Sequence, residues 1–169
     1  MKTTIYFLII TGILFFSSPA NAGKTSGNDS TLCLELSGKV SKLKSIENNY
    51  YNVELIYNGI IIDSMKVKDN REFRFALKKN TIYGIRMSKP GYYSRIITVN
   101  TSTPGYANAF FRFRFDTEMI RVDEPVKLNK DALDFPIAVI SFNEDLRTFY
   151  YNEEYTTYIK RRIYLGEEL

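Results

Sequence analysis

Carboxylates and tyrosines are the side chains left to do chemistry in this sequence. It holds 19 Asp and Glu and 13 Tyr, but one Cys, no Trp and no His. Without an imidazole there is no Ser-His-Asp or Cys-His pair and no His-ligated metal. A single thiol makes neither an internal disulfide nor a thiolate cluster. Acid–base chemistry would then fall to Asp131 with Asp134, Asp123 with Glu124, or Glu153 with Glu154. A glycosidase sets two carboxyls about 5–10 Å apart across a cleft. These pairs are instead neighbours in polar connections or at a helix start, where acids are ordinarily solvated. Asp69-Asn70-Arg71-Glu72 lacks the central glycine and ligand spacing of a calcium loop. The expectation is no cofactor, no metal and no catalysis.

Tyrosine offers recognition instead. Tyr50 and Tyr51 stand in a polar stretch, Tyr92 and Tyr93 follow Pro90-Gly91, and Tyr106 follows Pro104-Gly105. Rings on loops can stack on sugars or anchor a protein partner. Tyr50, Tyr51, Tyr93 and Tyr106 are therefore the candidate contacts, while Tyr92 is expected to cap the core. Cys33 sits in an apolar alternation and reads as a small buried hydrophobe. The net charge of +4 is spread over interspersed acids and bases. Nucleic acid would call for Lys and Arg gathered on one face, so it is not an expected partner.

Strands must position these rings, because the apolar residues recur with period two. Leu32, Leu34 and Leu36 share a face, as do Val53, Leu55 and Tyr57, and Phe73, Phe75 and Leu77. Tyr83, Ile85 and Met87 repeat the pattern, Arg95 to Val99 follows the Lys89-Pro90-Gly91 turn, and Phe111, Phe113 and Phe115 alternate with Arg112, Arg114 and Asp116. Asn58-Gly59 marks a hairpin, folding Ile60-Ile61-Ile62 back onto the strand before it. Seven short strands with turn chemistry between them predict a mainly β, seven-stranded antiparallel sandwich over residues 31–122. Residues 123–169 predict a small C-terminal strand–helix appendage. Its helix would be capped by Asn152, with Glu153 and Glu154 in the first turn, Tyr155, Tyr158, Ile159 and Ile163 on one face, and Lys160-Arg161-Arg162 near the negative end of its dipole.

The first residues read as an address. Lys2 precedes an apolar run from Ile5 to Phe16, well short of the ~20 residues a membrane-spanning helix needs. Ala20-Asn21-Ala22 then supplies the small residues of a cleavage site, predicting a signal peptide over 1–22 cut between Ala22 and Gly23. Residues 23–30 form a polar linker. The expected location is the periplasm, the outer membrane or the surface of a Gram-negative-type bacterium, with no transmembrane segment once the signal is removed.

Leu36-Ser37-Gly38-Lys39-Val40, Val53-Glu54-Leu55, Phe73-Arg74-Phe75-Ala76-Leu77 and Lys89-Pro90-Gly91-Tyr92 before Ile96-Ile97-Thr98-Val99 resemble the carboxypeptidase-regulatory-like domains. Those domains have a transthyretin-like (prealbumin-like), immunoglobulin-type sandwich, and the resemblance spans about residues 32–116. The family usually places an Asp-Gly turn before its aromatic strand; here Lys68-Asp69-Asn70-Arg71-Glu72 has no glycine, a departure from the pattern, though Asn70 can take the same left-handed conformation. The resemblance implies a non-catalytic accessory module of the bacterial envelope. Hydrolases of 5-hydroxyisourate occur on the related fold, but they depend on histidines that this chain lacks. Three function classes follow. The first is a binding or scaffolding module that contacts an envelope protein. The second is a module that binds polysaccharide through loop tyrosines, and the third a carboxylate-based hydrolase.

Overall fold

The turn residues act first, since they decide which strands can meet. Asn58 and Gly59 take φ of 49° and 77°, both positive, as a two-residue hairpin matched to strand twist requires. Asn70, at φ 60°, adopts the left-handed conformation expected of it, and Gly91, at φ 78°, completes the Pro90-Gly91 turn. In a computed structural model that describes residues 32–43, 49–107 and 109–165, these turns link β1 (Leu32–Ser41), β2 (Tyr50–Tyr57), β3 (Ile60–Lys68), β4 (Glu72–Lys78), β5 (Ile82–Ser88), β6 (Arg95–Asn100) and β7 (Phe111–Glu118). Then come a single 3-10 turn (Asp131–Asp134), β8 (Ala138–Asn143), β9 (Thr148–Tyr151) and helix α1 (Glu153–Leu165). The signal segment 1–22, its junction at Ala22 and Gly23, and the linker 23–30 lie outside the described residues.

The strands form two facing sheets, ordered β4-β1-β7 and β3-β2-β5-β6-β8-β9. This is the mainly β sandwich with a C-terminal helix that the alternation predicts. Two pairings are parallel, β1 with β7 and β6 with β8; the rest are antiparallel. β8 and β9 extend the larger sheet instead of standing apart, and Ile140, Phe149, Ile159 and Ile163 belong to the same buried cluster as Leu34, Leu36, Val53, Ile85, Ile97 and Val99. No helix among the described residues is long and apolar enough to cross a membrane.

Close approach is visible where β1 runs between its neighbours. A Cβ on Gly38 would lie 2.4 Å from the Phe115 carbonyl oxygen and 2.7 Å from Phe73 Cζ. Phe111, Phe113 and Phe115 are only half-buried, because β7 is an edge strand. Their inner faces are covered by edge-on rings, Phe142 and Phe149 against Phe111 at 5.4 and 5.5 Å, Tyr150 against Phe113 at 6.2 Å and Tyr151 against Phe115 at 5.9 Å. These aromatic contacts close one open side of the sandwich. Asn152 Oδ1 accepts from the Tyr155 amide at 2.8 Å, satisfying a helix-start donor, and Ile159 and Ile163 press α1 onto the sheet.

Register also defines two ends. Tyr57 pairs with Tyr83 and Ile82 with Asn100, so the Asn58-Gly59 turn, the chain after Asn100 and the β8–β9 turn share one, the hairpin end. Tyr50, Ser88, Arg95 and Ala138 lie at the other.

Candidate functional site

The predicted tyrosines do not converge. Tyr51 is 1% exposed; its hydroxyl donates to the Arg71 carbonyl at 2.8 Å, and burial pushes it up to about 12. A ring inside the core cannot contact a partner, so Tyr51 leaves the candidate set. Period two explains this, since Tyr51, Val53 and Leu55 share the inward face of β2. Tyr50 points out, 41% exposed, with Lys66 Nζ 5.3 Å from its ring centroid. Tyr93 is half-buried against the core. Tyr106, 66% exposed, lies at the opposite end from Tyr50 and donates to Glu144 Oε2 at 3.4 Å. Tyr50, Tyr51 and Tyr106 therefore share no stacking platform.

The acids are dispersed. Asp131 and Asp134 lie exposed on the 3-10 turn, and Glu153 and Glu154 lie exposed on the first turn of α1. Asp123 and Glu124 line a cleft of about 400 Å³ together with Glu118. Within it Asp123 accepts from Arg121 Nε at 2.8 Å and Glu118 is held by Lys42 at 2.8 Å. Cys33 is buried, its thiol pushed up by desolvation and directed to the Thr101 carbonyl at 3.8 Å.

What the structure brings together is apolar. At the hairpin end Tyr57, Ile60, Ile61, Ile62 and Ile82 are 42, 67, 47, 51 and 61% exposed. Tyr57 pairs with Ile60 and shares the inner face with Tyr83, while Ile61 pairs with Ile56 on the outer face. Ile82 lies two residues before Gly84 and so faces outward with it. A Cβ on Gly84 would lie 3.6 Å from Ile56 Cβ, so this glycine leaves the outer face low beside the isoleucines. A register shift between Leu55 and Ile56 makes Ile62 the extra residue of a bulge. Tyr106, Phe110 and Leu146, also exposed, reach the same end from the β6–β7 loop and the β8–β9 turn.

The edges sharpen this contrast. The outer face of β4 and β7 carries Glu72, Arg74, Arg112, Arg114 and Asp116, with Arg114 bridging Glu72 and Asp116 and Arg112 reaching Glu35 at 3.5 Å. Such charges keep an edge from pairing with another chain. β3, an edge of the larger sheet, carries Asp63, Lys66 and Lys68 further along but opens on three successive isoleucines. The sequence signal for this was the Ile60-Ile61-Ile62 run beside a tight turn, where alternation fails because neither face is covered.

No protein-family model matches the chain, and no curated protein matches it significantly. Among solved structures, one described as the crystal structure of S.CueP aligns with a TM-score of 0.36 and 13% identity, over 51% of this chain and 60% of that one. The chain thus spans less than two thirds of that chain's length, and a likeness so loose carries no argument about fold or function.

Proposed function

We propose that this protein is an exported, non-catalytic binding module of the bacterial cell envelope, holding a protein partner at the hairpin end of its sandwich. One observation carries the reading: five large apolar side chains are exposed around an uncapped half-edge of β3. A patch of that kind on a folded domain marks an interaction site, and an open edge can accept an extended segment as an added strand. The occupant this fits is an extended, apolar stretch of a partner, since Ile60, Ile61 and Ile62 offer neither charge nor hydroxyl to a sugar. The left-handed Asn70 turn supports placing the domain with the carboxypeptidase-regulatory-like group. The test is photo-cross-linking from position 60, which is 67% exposed, in envelope extract, compared with the same probe in Ile61→Lys/Ile82→Lys. Both sites are exposed, so the variant should keep its stability to within about 0.5 kcal/mol. The wild type should capture one defined protein through the β3 edge, and the variant should lose it. Equal capture by both, or none by the wild type, overturns the reading.

A further inference from the structure

Among the described residues, Arg95 is buried with no counter-charge. It opens β6 on the face it shares with Ile97 and Val99 and is 3% exposed. Its Nε and Nη1 groups are buried without a hydrogen-bond partner. Tyr164 supplies a hydrogen bond, yet burial still draws the guanidinium below its ordinary pKa. No carboxylate among the described residues contributes to that balance. Taking an ion out of water is strongly unfavourable unless something pairs with it, so the position needs an explanation that stability does not provide.

Arg95 lines a cleft of about 530 Å³ between the second half of β7 and α1, a volume typical of small-molecule sites. The acids on its walls are engaged elsewhere, Asp116 by Arg114 at 3.0 Å and Glu118 by Lys42 at 2.8 Å. Lys160, on the α1 wall, forms no ion pair among the described residues. Phe115, Ile137, Tyr151 and Ile163 supply apolar and aromatic surface. Two unpaired cations favour an anion, while Asp116 and Glu118 on the facing wall disfavour one of high charge. We propose that this cleft binds a small organic monocarboxylate, its carboxylate on Arg95 and Lys160 and its apolar body against Phe115, Ile137 and Ile163. The site lies at the opposite end from the apolar hairpin and stands or falls independently of it.

Calorimetric titration of the purified protein with octanoate and benzoate, with octanamide and inorganic phosphate as comparators, tests this. At least one carboxylate should bind saturably and shift the Arg95 Nε–H resonance. Octanamide should bind at least about tenfold more weakly than octanoate, because a charge-assisted hydrogen bond is lost. Arg95→Met should abolish binding while melting no lower than wild type, since it removes an uncompensated buried charge. Lys160→Met should weaken binding several-fold. Absence of saturable carboxylate binding, tighter binding of phosphate, or unchanged affinity in Arg95→Met overturns the proposal. Should Arg95→Met fail to fold, an Nε–H resonance that stays still during wild-type titration overturns it as well.

Discussion

Replacing Lys89 with Met should destabilise the fold more than any other single charge change. The Lys89 and Asp69 side chains are 3% and 7% exposed. The ammonium donates to both Asp69 oxygens at 2.9 and 3.0 Å and to the Tyr50 carbonyl at 3.1 Å. Asp69 in turn donates its amide to the Asn49 carbonyl at 2.8 Å. One ion pair therefore ties together the β3–β4 turn, the start of β2 and the Pro90-Gly91 turn. Removing one member of a buried pair costs about 3–5 kcal/mol, because the other is left poorly compensated. That is a large share of the roughly 5–15 kcal/mol that holds a domain folded, and corresponds to a melting point lower by roughly 10 °C. Urea unfolding of wild type, Lys89→Met, Asp69→Asn and the double variant, followed by circular dichroism, completes a double-mutant cycle. The double variant should be more stable than the sum of the single losses implies, with a coupling of about 2 kcal/mol or more. Added salt should change that coupling little, since buried pairs are weakly screened. Losses that add to within about 0.5 kcal/mol would refute the reasoning.

Tyr51→Phe should flatten the alkaline limb of the stability curve. The unfolded hydroxyl titrates near its ordinary value of 10.0 and the folded one at about 12. The unfolded chain thus releases its proton first, and about 2–3 kcal/mol of stability is lost as pH rises between those values. Denaturant titrations across that window check it, and an unchanged slope in the variant would count against burial as the cause. Gly38→Ala should destabilise by about 1–3 kcal/mol or more through overpacking, because the Phe115 carbonyl at 2.4 Å is backbone and cannot rotate away. Wild-type stability in that variant would mean that the spacing between β1 and β7 relaxes freely.

Local signals carried most of the fold. Period two together with the Asn58-Gly59 and Pro90-Gly91 turns located β1 to β7, seven of the nine strands in the two sheets, because both signals act between residues adjacent in the chain. The parallel neighbours β1–β7 and β6–β8 were not legible. Their partners meet only after long excursions, and no residue type specifies which edges will meet. Tyr51 could have been assigned inward by parity with Val53 and Leu55. Arg95 shares parity with Ile97 and Val99 and reads as buried on the same logic, but an arginine at a strand start is ordinarily taken as solvated. The Lys89–Asp69 pair spans 20 residues and left no trace in the local pattern, since each side chain looks like part of a polar turn.

The two candidate sites are alike in one physical respect. Exposed isoleucines around Asn58-Gly59 leave apolar surface in water, and the Arg95 guanidinium leaves a charge out of it. The buried charge opposes stability and a single apolar substitution would relieve it, whereas the isoleucines forgo burial that a partner would supply. The Lys89–Asp69 pair differs, because its charges satisfy each other and join three segments. Buried charge in this fold is therefore tolerated for two separable reasons. Perturbing Lys89 should lower stability, whereas perturbing Arg95 should alter binding without that loss. Strands β5 and β6 connect the Arg95 cleft to the hairpin end over six residues, roughly 20 Å of paired backbone. At that distance, with no shared side chain, the two sites contribute additively, and a ligand in the cleft has no steric reason to exclude a partner at the hairpin.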